Sequence, residues 1–159
     1  MESLNIATKV IAVEEGFREG VYHCSLGYPT VGIGLRVGYK GQPLAHFEGF
    51  PKMPREVAEL WCKSHTEEIV YSFESYPLIL NALEKCNAVQ EAVLISMAYQ
   101  IGVSGLSKFK NMLGYCIEGN FEKAGEEMLN SRLARQTPNR TNRQSQMLKT
   151  GILLPYYGD

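Results

Sequence analysis

Glu14-Glu15-Gly16-Phe17-Arg18-Glu19-Gly20-Val21-Tyr22-His23-Cys24-Ser25-Leu26-Gly27-Tyr28-Pro29-Thr30-Val31-Gly32-Ile33-Gly34-Leu35 is the stretch that decides how the chain is read. Leu4, Ile6, Val10 and Ile11 form an amphipathic helical pattern that runs into Glu15. Gly16 then suits the left-handed conformation just past a helix end. Two strand-like runs follow, Gly20 to His23 and Pro29 to Ile33, with a Gly-Tyr-Pro turn signal between them. A carboxylate at a helix C-terminus faces the negative end of the helix dipole. That disfavours its charged form and suits a general acid, although a solvated Glu at a fraying helix end has the same spacing.

The rest of the chain sets bounds on this reading. Its 159 residues, 45% hydrophobic, suit one compact domain or two small lobes. No run of about 18 apolar residues exists, so no membrane insertion is expected. The start, Met1-Glu2-Ser3 with charges at Lys9, Glu14 and Glu15, lacks signal-peptide features, so synthesis and retention in the cytoplasm are expected. Cys24, Cys62, Cys86 and Cys116 show no metal-ligand spacing. Free thiols are expected, with no disulfide framework and no metal site. A net charge of -1 argues against nucleic acid as a partner. From Ser131 to Leu154 every charged residue is basic (Arg132, Arg135, Arg140, Arg143, Lys149), which is either a solvated face or a wall-facing surface.

Residues 36 to 53 are loop-rich, with Gly38, Gly41, Pro43, Gly49 and Pro51. From Pro54 to about Glu74 the spacing predicts a helix with Val57, Trp61, His65, Ile69 and Phe73 as its inner stripe, and His65 as a half-buried packing residue. At about 1.5 Å per residue it would extend close to 30 Å. A short helix over 78 to 85 should precede a core helix from Ala88 to Ile101, capped by Asn87 and closed by Gly102. Two further amphipathic helices are predicted, Ser107 to Cys116 and Asn120 to Asn130. Pro138, which cannot donate a backbone hydrogen bond, and the turn formers Thr137 and Asn139 should fix Gln136 to Arg140 as a turn opening a last helix.

Three blocks of this sequence resemble the T-even phage lysozyme family, the muramidase endolysins. The first is Glu-Gly-Phe-Arg-x-x-x-Tyr followed by Gly-Tyr-x-Thr-x-Gly-x-Gly. The second is Leu94 to Gly102 with Phe109 to Leu113. The third is Ser131-Arg132, Gln136 to Arg140 and Lys149 to Gly151. The resemblance covers most of the chain apart from roughly 36 to 52 and the last eight residues. It implies an α+β, predominantly α, lysozyme-like two-lobe fold: a small β-hairpin lobe (about 13-53), a linking helix (about 54-75), and a helical lobe (about 76-159 plus an N-terminal helix 3-12). It also implies hydrolysis of the β-1,4 bond between N-acetylmuramic acid and N-acetylglucosamine in peptidoglycan, with inversion and no cofactor.

In that family a Glu, an Asp nine positions later and a Thr six further on form the catalytic set. They fall here on Glu15, Cys24 and Thr30, so the Asp has become a cysteine. The resemblance further points to Tyr99 as a substrate contact, and to Arg140 as the residue that pairs with the catalytic Glu across the cleft. The aligned polar contacts at Met112 and Glu127 do not match. Cys24 has three readings: a nucleophile whose thioglycoside would stall turnover, a weak base beside the attacking water, or a space filler. A nearby Glu15 carboxylate is expected to push the thiol's pKa up. The expected protein is a monomeric endolysin, held in the host cytoplasm and released to periplasmic peptidoglycan by a separate holin. The alternative is a weakened or inactive peptidoglycan-binding protein.

Overall fold

The computed structural model describes residues 1–158 and is predominantly helical, with a small antiparallel sheet. The fold is α+β. The chain divides into two compact units, Ile11–His65 and Met1–Val10 with Thr66–Asp159. Helix α1 (Glu2–Glu15) and helix α2 (Arg55–Ser72) each contribute residues to both.

In the first unit α1 ends where the glycine signal places it. Gly16 has φ +67°, and its N–H still donates to the Ala12 carbonyl at 3.1 Å. Strands β1 (Arg18–His23), β2 (Pro29–Gly32) and β3 (Leu35–Arg36) pair in sequence order. Strand β3 falls at the edge of the segment read as loop. The β1–β2 turn spans Cys24 to Gly27, so it shares only Gly27 with the Gly-Tyr-Pro signal. The Gly27 N–H donates to the Cys24 carbonyl at 2.8 Å, and the Cys24 N–H to the Tyr28 carbonyl at 2.9 Å. Gly27 takes φ +83°. This is a type I turn closed by a glycine bulge, and it lets the hairpin keep its right-handed twist.

Helix α2 starts one residue after Pro54, and a 3-10 turn over Phe73–Ser75 continues it. Of its predicted inner stripe Ile69 and Phe73 are buried, and the difference lies in the first half of the helix. Within the first unit Ala58 and Cys62 are buried, while Val57 is 50% exposed. A strict four-residue count drifts around a 3.6-residue helix. Small residues also allow close packing: a Cβ on Gly32 would lie 3.2 Å from that of Ala58. Trp61 and His65 stack on each other at 4.8 Å, which accords with a packing role for His65.

The second unit is built on α4 (Ala88–Ile101), buried continuously from Ala92 to Ala98. Asn87 and Gln90 form a reciprocal capping box at its start, and Gly102 (φ +81°) closes it. Helix α3 (Pro77–Leu83) precedes it. The helix predicted over Ser107 to Cys116 is α6 (Lys110–Ile117), which starts three residues later, and a short α5 (Val103–Ser107) that was not predicted precedes it. Phe109, with φ -77° and ψ 57°, turns the chain between them, and no glycine or proline marks the break. Helix α7 (Phe121–Leu129) is capped by the Asn120 side chain. A short α8 (Arg132–Gln136) leads through Thr137 to α9 (Pro138–Thr150). Among the described residues no helix is long and apolar enough to cross a membrane, and no cluster of three His, Cys, Asp or Glu could hold a metal ion.

Candidate active site

Glu15, Cys24 and Thr30 lie in the same unit, Ile11–His65, set out by the helix end and the hairpin. Glu15 is the last residue of α1. Its side chain packs against Gly34 so closely that a Cβ there would stand 2.8 Å from Oε2, 2.9 Å from Cδ and 3.0 Å from Cγ. Gly34 also takes φ +69°, a conformation that residues with a Cβ adopt only under strain. The second glycine of the Gly-x-Gly pair therefore serves as a bed for the carboxyl.

Thr30 is buried in the middle strand, opposite Tyr22 on β1 and Arg36 on β3. Directly opposed residues share a face, so Tyr22, Thr30 and Arg36 form one row across the sheet. The Thr30 hydroxyl donates to the Tyr28 carbonyl at 2.8 Å. It has a single proton, which rests on the Tyr28 carbonyl while the Cys24 thiol is neutral and turns to the sulfur when the thiol ionises, leaving the oxygen lone pairs to accept from other neighbours.

Cys24 is half-buried at the first position of the turn, where Asp, Asn and Ser are favoured because their side chains accept backbone N–H bonds. Its sulfur occupies that role. Burial pushes the Cys24 thiol up, but the backbone N–H groups of Tyr28 and Leu26, the Thr30 hydroxyl and the Arg36 guanidinium outweigh it and hold the pKa below the usual thiol value. This corrects the expectation that Glu15 would raise it. The charge that bears on Cys24 is the cation of Arg36. Glu15 acts instead on Tyr22, whose phenol is pushed up first by burial and then by the charges of Glu15 and Cys24, with Arg18 opposing.

Tyr28 joins these groups. Its carbonyl accepts from both the Cys24 N–H and the Thr30 hydroxyl, its N–H serves the Cys24 sulfur, and its ring carries the Arg36 guanidinium at 4.1 Å. Neither the role of Tyr28 nor that of Arg36 was read from the sequence. Finding them needed the strand register, which no single-residue signal supplies.

Tyr99 and Arg140 belong to the other unit. Arg140 is buried on α9, and its Nη2 donates to the Ser96 hydroxyl at 3.2 Å and the Ser96 carbonyl at 3.4 Å. Gln144 Nε2 donates to the same hydroxyl at 2.8 Å. Gln100 Nε2 donates to the Thr137 hydroxyl at 3.0 Å, a second tie between α4 and the start of α9. Tyr99 is half-buried, three residues after Ser96 on α4.

Several known proteins are similar to this chain over most of its length. A probable T4-type lysozyme of Dictyostelium discoideum is 28% identical over 92% of this chain and 95% of its own length. A second from that organism is 25% identical over the same shares. The pre-baseplate central spike protein Gp5 of Enterobacteria phage T4 is 30% identical over 90% of this chain, which corresponds to 27% of that protein. The phage lysozyme family model matches residues 12–146, from the end of α1 into α9. The chain therefore belongs to the phage lysozyme family and is a glycoside hydrolase, a lysozyme-like muramidase.

Proposed function

We propose that this muramidase is a phage endolysin that cuts the β-1,4 bond between N-acetylmuramic acid and N-acetylglucosamine, with inversion. Glu15 delivers its proton to the leaving glycosidic oxygen as the C1–O bond breaks. A water attacks C1 from the opposite face and gives its proton to the Cys24 sulfur, while Thr30 accepts a hydrogen bond from that water. Each turnover consumes one water. It leaves Glu15 ionised and Cys24 protonated, and solvent restores both. Inverting pairs leave about 6.5–9.5 Å between their groups to admit the water.

The observation that carries this reading is the surroundings of Cys24. Amide donors, a hydroxyl and a cation there favour a charged acceptor, which is what a base in place of a carboxylate needs. In this reading Tyr99 and Arg140 contribute to substrate binding. The monomeric protein accumulates in the host cytoplasm and acts on periplasmic glycan strands once a separate holin has opened the way, with no part for nucleic acid or membrane insertion.

A second reading, favoured by the loss of the family carboxylate at position 24, is a module that holds glycan and cuts it slowly or not at all. Digestion of purified peptidoglycan separates the two. Borohydride reduction of the products followed by mass spectrometry should reveal new muramitol ends, and NMR of fresh product should show the α anomer first. Binding without new reducing ends supports the second reading. New N-acetylglucosaminitol ends instead would refute the proposed bond.

A further inference from the structure

We propose that Arg36 is a positioning residue for the reaction: clamped over the Tyr28 ring, it keeps a cation beside the hairpin turn so that Cys24 serves as the base. The proposal deepens, and rests on, the reading of Cys24 as the water-assisting group. Its geometry is independent of that reading. Arg36 faces Thr30 across β2–β3, and its guanidinium stacks on Tyr28 at 4.1 Å. Tyr28 accepts from the Cys24 N–H at 2.9 Å, so the same residue fixes both the cation and the turn that bears the sulfur. A carboxylate at position 24 would be ionised at neutral pH unaided, whereas a thiol needs help.

The other charged and titratable groups around the thiol do not supply that help. Tyr22 on β1 is neutral, and Glu15 on α1 is of the wrong sign. His23 precedes Cys24 on the alternate face of the strand, with its Nε2 at 2.8 Å from the Gln42 carbonyl. Arg18 lies over the Tyr22 ring at 5.1 Å. The Lys40 stem packs near Gly27 of the same turn, 3.8 Å from where a Cβ there would stand, but among the described residues the cation whose charge lowers the Cys24 pKa is Arg36, with an effect smaller than those of the amides and Thr30.

The active form holds a proton on Glu15 and none on Cys24. When the pair holds one proton between them, the active share falls in proportion to the acidity of the thiol. Removing the cation should therefore lower the acid constant of Cys24 and the rate at pH 7 by the same factor. That factor is about two- to fivefold, the size of a unit-charge interaction over several ångströms in largely aqueous surroundings. Because Arg36 is exposed, added salt should shrink the factor.

The test measures iodoacetamide alkylation of Cys24 against pH, resolved by peptide mass spectrometry, together with kcat and KM on soluble peptidoglycan. Both are run for the parent, Arg36→Gln and Arg36→Lys. Cys62 and Cys116 are buried. The Cys86 thiol donates to the Ala82 carbonyl at 3.3 Å and is pushed up by its bond to Cys116 and by burial, so Cys24 should react first. Expected are a rise in the alkylation midpoint and a matching loss of kcat for Arg36→Gln, and substantial recovery of both for Arg36→Lys. An unchanged alkylation midpoint in Arg36→Gln overturns the proposal, as does a loss confined to KM, which would mark Arg36 as a substrate contact. A shifted midpoint with kcat unchanged upholds the electrostatics but shows that Cys24 is not the base, so it is the underlying reading that fails.

Discussion

Replacing Gly34 by alanine tests whether the bed under Glu15 matters to catalysis. The new methyl would lie 2.8 Å from Oε2 and 3.0 Å from Cγ of Glu15. Ordinary carbon contact begins near 3.5 Å, so the carboxyl must retreat by about half an ångström or more. Misplacing a reacting group by about 1 Å can cost on the order of a hundredfold in rate, so a loss of about tenfold or more is expected. The backbone carries a separate cost. At φ +69° an added Cβ is worth about 1–2 kcal/mol of strain, or roughly 2–8 °C in Tm for a chain of this size.

Gly49→Ala isolates that second term. Gly49 has φ +80°, but a Cβ there meets nothing within 4 Å. It should lose comparable stability and keep parental activity. The assay is turbidity clearance of outer-membrane-permeabilised Gram-negative cells, run well below both Tm values, with thermal unfolding followed by circular dichroism. The reasoning fails if Gly34→Ala clears cells within twofold of the parent, or if Gly49→Ala loses as much activity as Gly34→Ala.

Other variants probe the remaining parts. Cys24→Asp should retain or raise activity near pH 7, whereas Cys24→Ala and alkylated parent should lose most of it. If Cys24→Ala matches the parent from pH 6 to 9, the thiol has no chemical role. Ser96→Ala removes the hydroxyl to which Arg140 and Gln144 both donate. Because this polar cluster is buried, the change should cost about 1–3 kcal/mol of stability in urea unfolding. A midpoint unchanged from the parent would show that the cluster relaxes onto other partners.

The parts of the fold legible in the sequence are those whose signals are local. Gly16 closing α1, the Asn87 cap and the apolar run of α4 each state their role within a few residues. On α2 Ile69 and Phe73 are buried as their spacing predicts, whereas in its first half the packing selects the small Ala58 and Cys62 over Val57. The break at Phe109 carries no proline or glycine, and β3 is only two residues long, so neither announces itself. At the site, Glu15, Cys24 and Thr30 were named by the resemblance of the hairpin to the phage lysozymes, which the local sequence carries. The electrostatics did not follow, because the turn amides of Tyr28 and Leu26 and the Thr30 hydroxyl take their places only in the folded hairpin, and Arg36, twelve positions later, is brought there by two strand pairings. The sequence signal for β3 is the leucine-arginine step after Gly34, which continues the alternation of Val31 and Ile33.

The most direct test of the account is Glu15→Gln on purified peptidoglycan, with reducing-end release, glycan pull-down and thermal unfolding measured on the same preparation. An amide of the same shape fits against Gly34 but cannot deliver a proton. The account predicts an unchanged Tm within a few degrees, retained glycan binding, and a loss of nearly all reducing-end release. Release within a few-fold of the parent would contradict it.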